Sequence, residues 1–378
     1  VAVIISDSPS DWSPSDNPLW YRFSSDQTAQ ANFSFIVQTY FNGVIVAEDR
    51  VFPEVGSYAH IDISQTVKNL LSVPVITNAI WQDAGISGKI KIKVTESYGS
   101  PATNHANATS SETNIFKACL SDRDWKSWNA SDYKVVDSGN FMTYRSPSID
   151  GKVYKVIEDD FYLNIIQDGS YQLTVEIHGP SGLIDSYTDT QDYEIAQINI
   201  NNYTLQNDCG FSPFDLALSN RVIVSINSSE QYVIWKYTED CNPAYTLEWI
   251  NELGAWDSFI FAHNLEKSFD VTERSYSRKF GGWNGTLYQY DLNDAGTVRV
   301  GTQQTDKMTI YTDWITEQEQ HYLLTLYKAP RFYLFDGGTE IPVRVTNTQG
   351  KYQYSRWEEL ISETVDVELV NNHNGISL

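Results

Sequence analysis

The residues of this chain that could do chemistry are six histidines, three cysteines and a few acidic clusters. The histidines stand at 60, 105, 178, 263, 321 and 373. None are spaced i, i+4, and no His-Glu-x-x-His segment occurs, so the pattern that sets two imidazoles on one helix face around zinc is missing. Cys119, Cys209 and Cys241 are too widely separated for a Cys-x-x-Cys ligand pair. An odd, sparse set in 378 residues is not a disulfide framework. Reduced, buried thiols are expected, with pairing of Cys209 and Cys241 left open. Gly179-Pro-Ser-Gly182 lacks the Gly-x-Ser-x-Gly pattern of a nucleophile elbow and reads as a turn. No Gly-rich phosphate loop follows a strand.

Glycan cleavage needs two carboxylates, which makes the acidic clusters relevant. Glu158-Asp159-Asp160 reads as a solvated entry to a strand. Asp313, Glu317 and Glu319 read as acids at a helix N-terminus, where the macrodipole favours them. Asp291-Leu-Asn-Asp-Ala-Gly296 has the oxygen-rich composition of a calcium loop without the EF-hand spacing. No catalytic residue, no metal site and no cofactor are expected.

The elements that would position any site are mostly strands. Phe33–Phe41 and Val44–Ala47 flank Asn42-Gly43, a dipeptide that accepts positive φ at both turn positions, so a hairpin is expected there. Tyr58–Ile63 reads as a strand and Ser64–Leu71 as a short helix. Ile90, Ile92 and Val94 alternate with lysines, as in a strand with one wet face. Residues 99–113, rich in Ser, Thr, Asn and Ala, read as an exposed loop. Residues 116–133 have helix-like spacing. Further strands are expected at 162–166, 171–177, 193–200, 221–226, 231–237, 331–335, 341–346 and 363–370, with a Gly337-Gly338 turn. Thr316 and Glu319 form a capping box that starts a helix over 316–328, ended by Pro330.

Two aromatic groups complete the reading. Asn242 as N-cap, Pro243 at the first helical position, Leu247, Ile250 and Leu253 at helical spacing and Gly254 as terminator predict a helix over 243–253. An aromatic strand follows. Trp249, Trp256, Phe259, Phe261 and Trp314 are expected in the core. Trp12, Trp20, Tyr21 and Phe23 interrupt a Ser/Asp/Pro-rich start, and Trp283, Tyr288 and Tyr290 lie near Gly-rich turns. These seven are candidate interface residues, because Tyr and Trp present an apolar body with a polar handle. Residues 1–25 are expected to lie against another chain or across a domain groove.

Composition narrows the class. Aromatics reach 13%, with 24 Tyr and 11 Trp, which suits pleated, half-buried surfaces. The fold class expected is mainly β: consecutive β-sandwich-like domains and an α+β C-terminal domain carrying two short helices. The divisions are 1–30 as an N-terminal arm, 31–113 as a β-sandwich domain, 114–205 as a second β domain and 206–378 as the α+β domain. A net charge of −23 repels phosphate backbones and anionic lipid, so direct nucleic-acid binding is not expected. No signal-like start and no run of about 18 apolar residues is present, so neither export nor membrane insertion is expected.

Three segments carry a resemblance. They are Trp249-Ile-Asn-Glu-Leu-Gly-Ala-Trp-Asp-Ser-Phe-Ile-Phe261 with Lys267–Tyr276; Ser8–Tyr21 with Asn32–Gly43; and Asp313–Leu324 with Ala329–Phe335 and Ile341–Thr346. Together they resemble virion structural, tail-associated proteins of tailed phages infecting Bacteroidetes-type bacteria. The resemblance spans most of the chain, through packing motifs and not a catalytic signature. It implies a non-enzymatic particle component, assembled in host cytoplasm, a homo-oligomer that also binds other virion proteins. A surface adhesin or carbohydrate-binding module is the alternative reading, and a glycan depolymerase the third.

Overall fold

The computed structural model describes residues 3–54, 56–74, 78–134, 141–143, 152–156, 159–167, 169–227, 230–237, 245–261, 265–277, 281–289, 297–336, 339–347, 361–370 and 373–374. Strand accounts for 55% and helix for 12%, so the fold is mainly β. Two compact units emerge. One comprises Val1–Arg145, Lys152–Tyr237 and Ile250–Ser258; the other comprises Ser146–Gly151, Thr238–Trp249 and Phe259–Leu378.

The first unit opens with β1 (Ile4–Asp7), β2 (Ser13–Pro14), β3 (Trp20–Ser24), β4 (Ser34–Phe41), β5 (Val44–Val51) and β6 (Tyr58–Asp62). After helix α1 (Ser64–Val67) come β7 (Trp81–Asp83), β8 (Ser87–Gly99), β9 (Ala102–Thr109) and β10 (Thr113–Phe116). Sheet β1-β3-β6 packs on sheet β2-β10-β8-β4-β5, with β9 also paired to β8. Tyr21 and Phe23 from one sheet and Phe35, Val37, Ile92 and Val94 from the other fill the core between them. The β4–β5 turn has Asn42 at φ 47 and Gly43 at φ 81, the double positive φ that Asn-Gly tolerates.

Helix α2 (Asp122–Lys126) and a 3-10 turn (Ala130–Tyr133) follow. The unit continues with β11 (Val153–Lys155), β12 (Tyr162–Ile166), β13 (Tyr171–Gly179), β14 (Gly182–Gln191) and β15 (Ile195–Asn199). After helices α3 (Asn202–Asn207) and α4 (Pro213–Leu218) come β16 (Arg221–Ile226) and β17 (Glu230–Lys236). Sheets β11-β17-β16-β13-β14 and β12-β15-β7 enclose a second core of Leu163, Ile165, Val175, Ile198, Val222 and Val224.

The second unit is built on an eight-stranded sheet, order β19-β18-β24-β25-β26-β23-β20, with β27 paired to β23. Its strands are β18 (Tyr245–Ile250), β19 (Trp256–Phe261), β20 (Leu265–Ser277), β21 (Gly282–Trp283), β22 (Tyr288–Gln289) and β23 (Thr297–Tyr311). Helix α5 (Glu317–Leu323) and a 3-10 turn (Leu324–Lys328) precede β24 (Phe332–Asp336), β25 (Thr339–Val345), β26 (Thr364–Leu369) and β27 (His373–Asn374). The Thr316–Glu319 capping box starts α5 as its sequence predicts. The Gly337-Gly338 turn lies outside the described residues.

Four expectations are corrected. The helix over 243–253 is strand β18 where described, buried on both faces and paired with β24. Tyr245, Leu247 and Trp249 satisfy a period of two, and Tyr, Thr, Trp and Ile all favour a pleated, fully packed strand over a helix. Asn242 and Pro243 lie outside the described residues. Gly254 closes a turn instead of a helix: its N–H donates to the Asn251 carbonyl at 3.0 Å. The Asn251 side-chain oxygen meanwhile accepts from Leu253 and Ala255 N–H at 2.9 and 3.1 Å.

The loop expected over 99–113 is largely strand β9, an edge strand whose small side chains hide its pattern, though Ala106 and Ala108 pack on the core. The N-terminal arm is no arm, since β1 and β3 are sheet strands of the first unit. Nor do boundaries fall at 113/114 or 205/206, because β10 pairs with β8 and β16 pairs with β13.

Candidate interaction surface

Strands β20 and β23 form a long antiparallel ribbon, paired from Leu265↔Ile310 to Ser277↔Thr297 with a bulge between Arg274 and Ser275. One face carries Leu265, Lys267, Phe269 and Val271 opposite Ile310, Met308, Asp306 and Gln304. Met308 and Ile310 are buried where the ribbon joins the sheet, whereas Phe269, on the same face further out, is 62% exposed. Lys267, Phe269, Met308, Asp336, Ile341 and Leu369 line a groove of about 330 Å³ along this face.

The opposite face is polar. Lys307 lies 2.5 Å from Asp270. The hydrogen bond and charge of that carboxylate raise the Lys307 pKa above its ordinary value. On the Phe269 face, Glu273 pairs with Arg299 at 3.0 Å. Every β20 residue beyond Leu265 is exposed. The strand lies at the end of its sheet, with no partner on its outer edge among the described residues. An isolated ribbon of two strands is marginal in water, and an unpaired edge is a template for another strand.

A second, smaller hairpin follows in sequence. Gly282 pairs with Gln289 and Trp283 with Tyr288. The turn is held by the Asn284 side-chain oxygen, which accepts from Thr286 and Leu287 N–H at 3.3 and 3.1 Å. Trp283 is 74% exposed and meets Tyr288 edge-to-face, with ring centroids 6.0 Å apart. Leu287 is exposed beside them in sequence. Large rings held clear of solvent-excluding contacts are costly on a free surface and productive in an interface.

The other candidate interface residues divide. Tyr290 lies outside the described residues. Trp12, Tyr21 and Phe23 are fully buried in the first unit, so they are core and not interface. In β3 the alternation Trp20 out, Tyr21 in, Arg22 out, Phe23 in explains why; the polar composition around these residues obscured a period of two. Trp20 is partly exposed and packs edge-on to His60. Of the expected core set, Trp249, Trp256, Phe259 and Phe261 are buried. Trp249 and Phe259 pack against Tyr322 of α5. Trp314 is 62% exposed: its N–H donates to Asp313 Oδ1 in the turn before the helix cap, and its ring falls on the solvent side. Sequence reasoning does not single out Phe269, Val271 or Leu287, although Phe269 and Val271 alternate with polar residues as a strand face does.

The residues with chemical potential occupy structural roles. Asp159 and Asp160 are buried and not solvated. Asp160 accepts hydrogen bonds from Asn199 Nδ2 at 3.0 Å, Tyr162 Oη at 3.1 Å and Asn201 Nδ2. Asn201 caps α3, so this carboxylate ties a helix start to the β12-β15 sheet. Glu319 serves the α5 capping box. Asp257 accepts from Asn251 Nδ2 at 2.8 Å and from the Thr143 hydroxyl.

Cys209 is a free thiol that burial, and then the Asp208 charge, push up to about 12, which keeps it protonated and non-nucleophilic at neutral pH. Cys119 is exposed, not buried as expected, and Cys241 lies outside the described residues. So does the oxygen-rich 291–296 segment. No group of three metal-ligating side chains converges, and no helix is long and apolar enough to cross a membrane, among the described residues. In comparisons of its sequence, the chain matches no protein-family model and no curated protein.

Proposed function

We propose that this chain is a non-enzymatic structural protein of a phage virion, tail-associated, that assembles with copies of itself and with other particle proteins. The observation that carries this reading is the β20–β23 ribbon: a long strand whose outer edge has no partner among the described residues, with apolar side chains presented along one face. The exposed Trp283–Tyr288 hairpin adds an aromatic anchor of the kind that dominates interface energetics. The chain's packed β-sheets supply fixed geometry, which is what a particle component contributes. The sequence resemblance supplies the phage setting. The charge of −23 speaks against a role on nucleic acid, and the partners proposed are proteins.

The exposed Trp283 and Tyr288 rings also favour a second reading, a carbohydrate-binding module or adhesin, since such rings stack on sugars. Glycan depolymerisation is supported less, because Asp160, Asp257 and Glu319 are each engaged by neighbouring groups. The test is to quantify the chain in intact purified particles relative to the capsid protein. A fixed whole-number ratio is expected. Absence from particles, together with glycan binding by the purified chain, would replace assembly with the adhesin reading.

A further inference from the structure

The open edge of β20 has a charge order that suits a copy of itself. Along the strand the charged residues are Glu266, Lys267, Asp270, Glu273 and Arg274. Read from either end toward Asp270, each position on one side has the opposite sign to its mirror position on the other. We propose that β20 pairs antiparallel with β20 of a second copy, about a two-fold axis through Asp270, and joins the two eight-stranded sheets into one.

This register places Lys267 opposite the partner's Glu273, and Glu266 opposite the partner's Arg274, each pair occurring twice by symmetry. A two-fold axis normal to a sheet keeps faces matched, so only pairings between residues on one face are allowed. Lys267 and Glu273 both lie on the Phe269 face, and Glu266 and Arg274 both lie on the other. Phe269 then meets the partner's Val271, an aromatic and β-branched combination that stabilises cross-strand pairs.

The one like-charge meeting, Asp270 with its own copy, is offset by Lys307, which sits 2.5 Å from Asp270 within each copy. Sliding the register by two residues in either direction removes all four opposite-charge pairs, and sliding by one sends side chains to the wrong face. The bulge between Arg274 and Ser275 marks where this ladder would stop.

The β14 edge of the first unit differs. On β14 the Asp185 and Asp189 carboxylates accept from the following N–H groups of Ser186 and Thr190, each at 2.8 Å, and this strand carries no cation to balance them. Two copies of such an edge repel.

The inference rests on the assembly role proposed above and is tested on the purified full-length chain. Sedimentation across a concentration series is expected to show a reversible dimer. Hydrogen exchange is expected to show residues 266–274 gaining protection as the dimer forms. Lys267→Glu and Glu273→Lys alone should each weaken dimerisation by at least about tenfold, because each reverses two attractive contacts. The combined Lys267→Glu/Glu273→Lys chain should return to within about threefold of the native constant. All three variants should melt as the parent does, which separates association from folding.

A chain that stays monomeric at high concentration, a dimer indifferent to both single reversals, or a double variant no better than the singles would each overturn self-pairing. A monomer that still enters particles, with residues 266–274 protected only by a different particle protein, would overturn self-pairing while leaving the assembly role standing.

Discussion

Gly254→Ala is expected to destabilise the first unit by on the order of 3–5 kcal/mol, a large part of the stability of an ordinary domain. Two independent costs meet at this position. Gly254 has φ +74, in the left-handed region where a Cβ is strained. A Cβ built there would also lie 1.8 Å from the Lys117 carbonyl oxygen, and backbone cannot swing aside as a flexible side chain can. The turn that would have to move is held by the Asn251 side chain and by the Cys119 N–H bond to the Glu252 carbonyl at 2.9 Å. Gly85→Ala is the matched control: its φ is +66, but open space surrounds the added Cβ, so a loss of only about 1 kcal/mol is expected. Urea unfolding of both variants measures the difference. Equal effects would mean that the close approach at Lys117 is not real.

Trp12→Ala is expected to cost about 3–5 kcal/mol, against less than about 1 kcal/mol for Trp20→Ala. The Trp12 ring is fully buried in a cluster with Ile86, Phe116, Leu253 and Ala255. Its carbonyl accepts from Trp128 Nε1 at 2.9 Å. Removing the ring leaves a cavity among these packed side chains. Trp20 lies on the outward side of β3 and loses mainly its contact with His60. Thermal melts of the two variants should therefore separate clearly. Comparable small losses would restore Trp12 to the interface role its surroundings in the sequence suggest.

The contrast between these tryptophans shows where the sequence was legible. Local signals were read well where one residue or dipeptide imposes a backbone geometry, as at Asn42-Gly43 and at the Thr316–Glu319 cap. Alternation in β8 and β13 also identifies strands. The reading failed where tertiary packing overrode a local pattern. In β18, apolar residues fit both a helical and a strand period, and pairing with β24 decided for the strand. In β3 and β9, polar composition hid strands. The surface proposed here was half legible: Trp283 and Tyr288 were marked by Gly-rich turns, but that Phe269 and Val271 are exposed depends on β20 ending its sheet, which is a fact of topology and not of local sequence.

Assembly through the ribbon and its neighbouring hairpin can be tested with a single chain carrying Phe269→Ser, Val271→Ser, Trp283→Ser and Tyr288→Ser. All four side chains are exposed, so its melting temperature should stay within a few degrees of the parent. The decisive measurement is its copy number in purified particles when it replaces the native chain during infection. Loss of incorporation with an unchanged melt is expected; incorporation at the native copy number would contradict an assembly role for this surface.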